Sequence, residues 1–214
     1  IGLCLVGSEM CIRDSAGRGG IAYQWTVPGI VYFDLETQRS FGDVGGSAHK
    51  DKMGMSVGVT YSTETGQYHI FNEENVADLV EQLIKADLVV GYNHVQFDYP
   101  VLQAYTIYDL ATQTVNCDMM LDIEEILGHR LKLDAVAQAS LNASKTADGL
   151  DALKWWQLYK KTDDLAHVLN IAEYCCYDVK VTKEVHEFGL EHGIVKYADR
   201  NGSVQEVVAS WKKL

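Results

Sequence analysis

Gly29-Ile-Val-Tyr-Phe-Asp-Leu-Glu-Thr37 is the stretch on which the fold turns. Five apolar, β-branched or aromatic residues run almost unbroken and then stop at charge. That pattern reads as a buried central strand, not a half-solvated one. Side chains alternate across a strand, so Asp34 and Glu36 share one face, roughly 6–7 Å apart, at its carboxyl end. In open α/β sheets ligands collect at that end. A DxE pair is also found on solvated strand ends, so the pair alone decides nothing.

Working outward, a polar, glycine-rich loop follows (Gly42, Gly45, Gly46, His49, Lys50). Met53–Ser62 and Gln67–Asn72 read as two strands about a turn at Glu64-Thr65-Gly66. From Glu74 the period changes. Val76, Leu79, Val80, Leu83 and Ile84 recur at helical spacing, with Asn72 or Glu73 available as a cap. Strand character returns over Asp87–Asn93, a short helix starts near Tyr99-Pro100, and Thr114–Met119 is a further strand. Helices are expected over Asp122–Leu127, Leu133–Leu141, Leu150–Leu158 and Asp163–His192. Ile194–Ala198 and Ser203–Val208 then form a hairpin with an Asn201-Gly202 turn. Strands first and helices massed late predict an α/β fold, a mixed five-stranded sheet flanked by helices.

The 214 residues suffice for one such domain and are too few for two of ordinary size. Hydrophobic residues at 47% and charged residues at 22% exclude wholesale disorder. No apolar run approaches the roughly 18 residues of a membrane span. Five cysteines without a CxxC spacing read as small core residues in a reducing cytoplasm. The expected organisation is a non-native or disordered tail at 1–20, the α/β domain at 21–193 and a C-terminal hairpin at 194–214 packed on it. Within that tail, Leu3 to Ser15 resembles a translated adapter remnant, and Ala16-Gly-Arg-Gly-Gly20 a flexible join. A net charge of −12 rules out broad phosphate neutralisation. Any nucleic acid must be met through bound cations and local contacts.

Two further motifs follow the first. Asn93-His-Val-Gln-Phe97-Asp98 comes after the strand at Leu88-Val89-Val90, and Asp98 sits where a plain helix cap would. Tyr174-Cys-Cys-Tyr-Asp178 lies on the long late helix. Spacing i to i+4 puts the Tyr174 hydroxyl and the Asp178 carboxylate on one face, although a core tyrosine beside a surface aspartate would look the same. Together, DxE, NxxxFD and YxxxD in this order resemble the DEDD exonuclease superfamily, and the tyrosine its DEDDy subclass. The likeness covers about residues 28–193. The histidine subclass would carry histidine where Glu173 stands.

Gly128-His129-Arg130, Leu133-Asp134, Ser144-Lys145 and Glu173-Tyr174-Cys175 are similar to predicted bacterial, archaeal and phage exonucleases. The likeness to proofreading domains of family B DNA polymerases is more distant. The resemblance implies a ribonuclease H-like fold; ribonuclease H itself takes its second carboxylate from a helix, unlike Glu36 here.

It further implies a 3′→5′ exonuclease that releases nucleoside 5′-monophosphates from single-stranded DNA or RNA, with two divalent cations, Mg²⁺ or Mn²⁺. Asp34 would bridge both ions, Glu36 and Asp178 would hold the nucleophile-side ion, and Asp98 would support the other through water. Tyr174 would orient the attacking water or accept its proton. The chemistry agrees with the composition of the site. Two carboxylates about 4 Å apart repel by about 4 kcal/mol at an effective dielectric near 20, so four in one cleft require cations, and all-oxygen ligands favour hard ones.

Asn93 and Phe97 are candidate substrate contacts, Phe97 packing under a terminal base or filling the core. Asp118 is an outer carboxylate or half of a salt bridge, and His94 is structural. Trp155-Trp156 stack on a base or close a core, while Lys145 meets a phosphate or solvent. A helicase or polymerase is the expected partner, with no membrane and a cytoplasmic location. The alternative is a non-catalytic ribonuclease H-like module that binds nucleic acid for such a partner.

Overall fold

The computed structural model describes residues 3–6, 9–12, 29–143 and 149–211, with backbone alone at 3–6, 9–12 and 149. Leu3–Val6 and Glu9–Ile12 pair as a two-stranded antiparallel ladder. The rest of the expected tail at 1–20, and Lys145, lie outside the described residues.

Five strands make the main sheet: β1 (Ile30–Thr37), β2 (Met55–Ser62), β3 (Gln67–Phe71), β4 (Leu88–Gly91) and β5 (Asn116–Asp118). Their order is β3-β2-β1-β4-β5, antiparallel from β3 to β1 and parallel from β1 to β5. The mixed, helix-flanked sheet is the fold the periodicities predict, and Ile30–Thr37 stands at its centre.

Alternation along β1 divides the core. Val31, Phe33 and Leu35 pack with Met55, Leu79, Leu83 and Leu102 on the face covered by α1 (Val76–Lys85) and α2 (Asp98–Leu102). Tyr32 points the other way, into a core with Val57, Val90, Ile123, Ile171 and Val179. That face is covered by α3 (Met119–Leu127), α4 (Leu133–Leu141), α5 (Gly149–Thr162) and the 27-residue α6 (Ala166–His192). Asp34 and Glu36 share the parity of Tyr32 and so face α6. The β1–β2 register Asp34↔Val59 and Glu36↔Val57 holds as far as Glu36, and a bulge separates Glu36 from Thr37.

Some boundaries move for local reasons. The loop after β1 holds a short helix, Phe41–Val44, and a 3₁₀ segment, Ser47–Lys52. The Ser40 side chain and Asp43 close a capping box at the start of that helix, which satisfies its first N–H groups. The expected strand at Thr114–Met119 contracts to Asn116–Asp118. Asp118, the last residue of the ladder, caps α3, accepting from the Leu121 N–H at 3.3 Å.

The C-terminal hairpin, β6 (Ile194–Ala198) and β7 (Val204–Val208), turns through five residues and not through a two-residue Asn-Gly turn. The Asp199 carboxylate organises it by accepting from the Asn201 and Ser203 N–H groups and from Gln205. Val195, Val207 and Trp211 join the α6-side core. Trp211 lies directly over Gly189 of α6: a Cβ there would come within 2.0 Å of the indole. It also stacks on His186, whose Nδ1 meets the Tyr32 hydroxyl at 3.0 Å.

Candidate active site

β1 outruns its parallel neighbour. Pairing with β4 ends at Tyr32↔Val90, so the last turn of β1 projects past the sheet on that side. The Leu35 N–H beyond that pairing goes instead to Asp98 Oδ1, at 3.1 Å. The first residue of α2 thus completes the hydrogen bonding of the strand that carries Asp34 and Glu36.

On the opposite side α6 crosses with Asp178 facing β1. One oxygen from each of Asp34, Glu36 and Asp178 lies within 4.8 Å of the other two. Asp98 stands outside that trio, yet it is the strongest like charge on Asp34. The three motifs, up to 144 residues apart from Asp34 to Asp178 (178 − 34), therefore meet at one strand end.

Electrostatics here are adverse without cations. Burial, followed by Asp98, Asp178 and Glu36, pushes the Asp34 carboxyl well above the usual carboxylate range. Burial and then Asp178 and Asp98 do the same to Glu36. Asp98 is pushed up to about 7, chiefly by burial and then by Asp118, with the Leu35 N–H opposing. The Tyr174 hydroxyl is raised far above its ordinary value by burial and by Asp178 and Glu36, and it donates a hydrogen bond to Asp178. It therefore stays protonated at neutral pH.

Cys175, expected only as a core residue, is fully buried and touches the site. Its S–H donates to the Asp34 carbonyl and to Asp34 Oδ2, both at 3.5 Å. The i+1 position from Tyr174 was its one sequence signal. Cys117 is likewise buried, and Cys176 is half-buried.

The carboxylates open into a cleft of about 390 Å³, bounded by Thr37, Ser40, Phe41, Asn93, Phe97 and Leu150 among others. Phe97 is half-buried and meets Phe41 edge to face, with ring centroids 5.8 Å apart. Phe41 was not singled out from the sequence, because a lone aromatic in a polar loop has no period to betray it. Asn93 adopts a left-handed backbone, φ 71°, and its side-chain oxygen is buried without a hydrogen-bond partner. A buried amide oxygen without a partner at the edge of a cleft is suited to a ligand.

The other candidates resolve structurally. Asp118 is neither a salt-bridge half alone nor a wall of the cleft. It accepts the Asn93 N–H at 2.7 Å and the Val95 N–H at 3.0 Å, and so clamps the loop that holds Asn93 and Phe97. His94 is fully buried; its Nε2 donates to Asn116 Oδ1 at 3.0 Å, and burial lowers its pKa, so it is neutral. Gly91 must lack a side chain, since a Cβ would lie 2.6 Å from the His94 ring. Trp155 and Trp156 pack against the α6-side core, and Trp156 leans on Tyr159.

The family model described as RNase_H superfamily matches residues 31–188. No curated protein matches. Among solved structures, the family B DNA polymerase from the hyperthermophilic archaeon Pyrobaculum calidifontis is similar, with a TM-score of 0.55 and 19% identity over 81% of this chain. This chain spans 25% of that polymerase's length.

Proposed function

The chain belongs to the RNase H superfamily, and on that premise we propose that it is a metal-dependent 3′→5′ exonuclease of the DEDDy type. It removes nucleoside 5′-monophosphates from single-stranded DNA or RNA. The observation that carries this reading is the convergence of Asp34, Glu36 and Asp178 oxygens within 4.8 Å at the end of the central strand.

The donor set fits a hard divalent cation. It is all oxygen, and its carboxylates are driven toward protonation by burial and by one another. Asp34, Glu36 and Asp178 would hold Mg²⁺ or Mn²⁺ directly, and Asp98 would support a second ion. Such ions would lower the pKa of an attacking water and take up charge on the leaving 3′ oxygen.

The remaining work falls to the chain. Tyr174, kept protonated, orients oxygen through its hydroxyl and does not serve as the base. Cys175 steadies Asp34 by donating to it. Asn93 presents its side-chain oxygen to the terminal nucleotide, and Phe97 offers its ring to the base. Asp118 holds the loop that carries them.

No helix among the described residues is long and apolar enough to cross a membrane. The free thiols Cys117, Cys175 and Cys176 are compatible with work in a reducing cytoplasm. There a helicase or polymerase partner would supply the single strand. A module that only binds would gain nothing from buried, mutually repelling carboxylates.

The test is a 5′-labelled single strand of DNA, and one of RNA, incubated with Mg²⁺ or Mn²⁺. Stepwise loss of mononucleotides from the 3′ end is expected, slower with a 3′-phosphate and nil in EDTA. A short labelled 5′ fragment appearing first, or cutting in EDTA, overturns the assignment. Binding of either strand without cutting establishes the binding module.

A further inference from the structure

Five of the thirteen described lysines and arginines of this acidic chain sit in ion pairs. Lys85 pairs with Glu81, Arg130 with Glu124, Lys154 with Asp151, Lys180 with Glu184 and Lys183 with Glu187. Lys132, Lys160, Lys161, Lys196 and Arg200 have no such pair among the described residues, and neither do the three cations of the loop between β1 and β2, which is set apart by bordering the carboxylate cleft. Among the described residues no carboxylate lies within ion-pair distance of Arg39, Lys50 or Lys52, which fall within fourteen residues (39 to 52) of one another. Of the two acids in that stretch, Asp43 is engaged by Ser40 through the capping box, and Asp51 is exposed.

That loop is also the wall of the cleft. Ser40, Phe41 and Met53 border the recess that holds Asp34 and Glu36. Ser47 and Lys50 border an adjoining hollow of about 390 Å³, whose other wall is Tyr99, Pro100 and Gln103. The two recesses share α2: Phe97 and Asp98 face the first, and the residues that follow face the second. The loop is built to hold its shape. Arg39 donates to the Lys52 carbonyl, Gln38 donates to Met55 O at 2.9 Å, and Gly45 and Gly46 take positive φ between the two short helical pieces.

We propose that this loop is a strand-gripping surface: a single strand with its 3′ end at the carboxylates leaves past the Phe41–Phe97 pair, and Lys50 and Lys52 hold its upstream phosphates. The inference rests on the nuclease reading above and names the contacts that let a −12 protein hold a polyanion. Unpaired cations supply such binding; paired ones have already spent their field on a neighbour. Asp51 and Asp109, which also border the hollow, oppose it and set the direction of a control.

The experiment compares the full chain with a Lys50→Ala/Lys52→Ala variant and with Asp51→Asn. Arg39 is left alone, because it braces the loop. Two readouts separate the grip from the metal site. One is hydrolysis of the p-nitrophenyl ester of thymidine 5′-monophosphate, which has no upstream phosphate. The other is the affinity of a fluorescent oligothymidylate in EDTA, where nothing is cut, as a function of salt.

Each phosphate contact on a single strand contributes about 0.7 to the log–log salt slope, so losing two should make it shallower by about 1.4. Between about 50 and 200 mM salt the unaltered chain should then weaken about 7-fold more than the double variant. Ester hydrolysis should be unchanged, and Asp51→Asn should bind more tightly. An unchanged slope overturns the proposal, and so does a fall in ester hydrolysis equal to the fall in affinity. An unaltered chain that cuts neither ester nor oligomer refutes the nuclease reading instead, while the salt slopes still decide the loop.

Discussion

Replacing Asp98 with asparagine should disable this protein and stabilise it. Asp98 is 3% exposed, and its carboxyl is pushed up to about 7 by burial and by Asp118, against the Leu35 N–H that opposes the shift. In the unfolded chain it titrates near 3.9. Between those values the folded chain holds a proton that the unfolded chain has released. Stability is therefore full below about pH 4 and falls as pH rises toward about 7. The gap of about three units, at about 1.4 kcal/mol each, makes the cost about 4 kcal/mol at pH 8.

Asparagine keeps the oxygen that accepts the Leu35 N–H and removes the charge. In EDTA at pH 8, Asp98→Asn should gain about 2–4 kcal/mol, or roughly 4–16 °C in Tm for a chain of this size. At pH 4 the gain should vanish, and turnover should be lost at every pH. Thermal melts at the two pH values are sufficient. A lower melting temperature at pH 8, or a gain that persists undiminished at pH 4, would refute the electrostatic account.

Asp34→Ala and Asp178→Ala should each abolish turnover while the far-UV spectrum is kept and the metal-free melting temperature holds or rises, since each removes a repelling charge. Turnover surviving Asp34→Ala would remove the metal-centred reading. Tyr174→Phe should be milder, a loss under about 100-fold in kcat, because Asp178 loses a donor and keeps its charge. Gly189→Ala should cost about 1–3 kcal/mol in urea unfolding although alanine favours helices, because the added methyl meets Trp211; combining it with Trp211→Ala should reduce the further loss, and a neutral Gly189→Ala would mean that the indole does not dock there.

Much of the site was legible because its chemistry is written in local spacing. Alternation put Asp34 and Glu36 on one face, and helical spacing put Tyr174 above Asp178; both relations survive in the structure. Strand and helix order followed from apolar periodicity for the same reason. What stayed hidden depends on contacts distant in sequence. The clamp formed by Asp118 uses backbone N–H groups 23 and 25 residues away, and no pattern of side chains announces it. Phe41 and Trp211 gain their meaning only from Phe97 and Gly189. The capping box at Ser40 and Asp43 was readable, but a four-residue helix is too short to show a period.

The parity of β1 also sets which genetic changes this site can absorb. A one-codon insertion between the codons for Val31 and Phe33 would shift the strand's downstream register by one against β2. Leu35 would then turn toward α6, and both acids would turn into the apolar layer of Phe33 and Leu79. The same insertion beyond the bulge at Glu36/Thr37 would leave both acids facing α6 and alter only the loop that walls the cleft. Lineages carrying this gene should therefore hold constant length from Ile30 to Glu36.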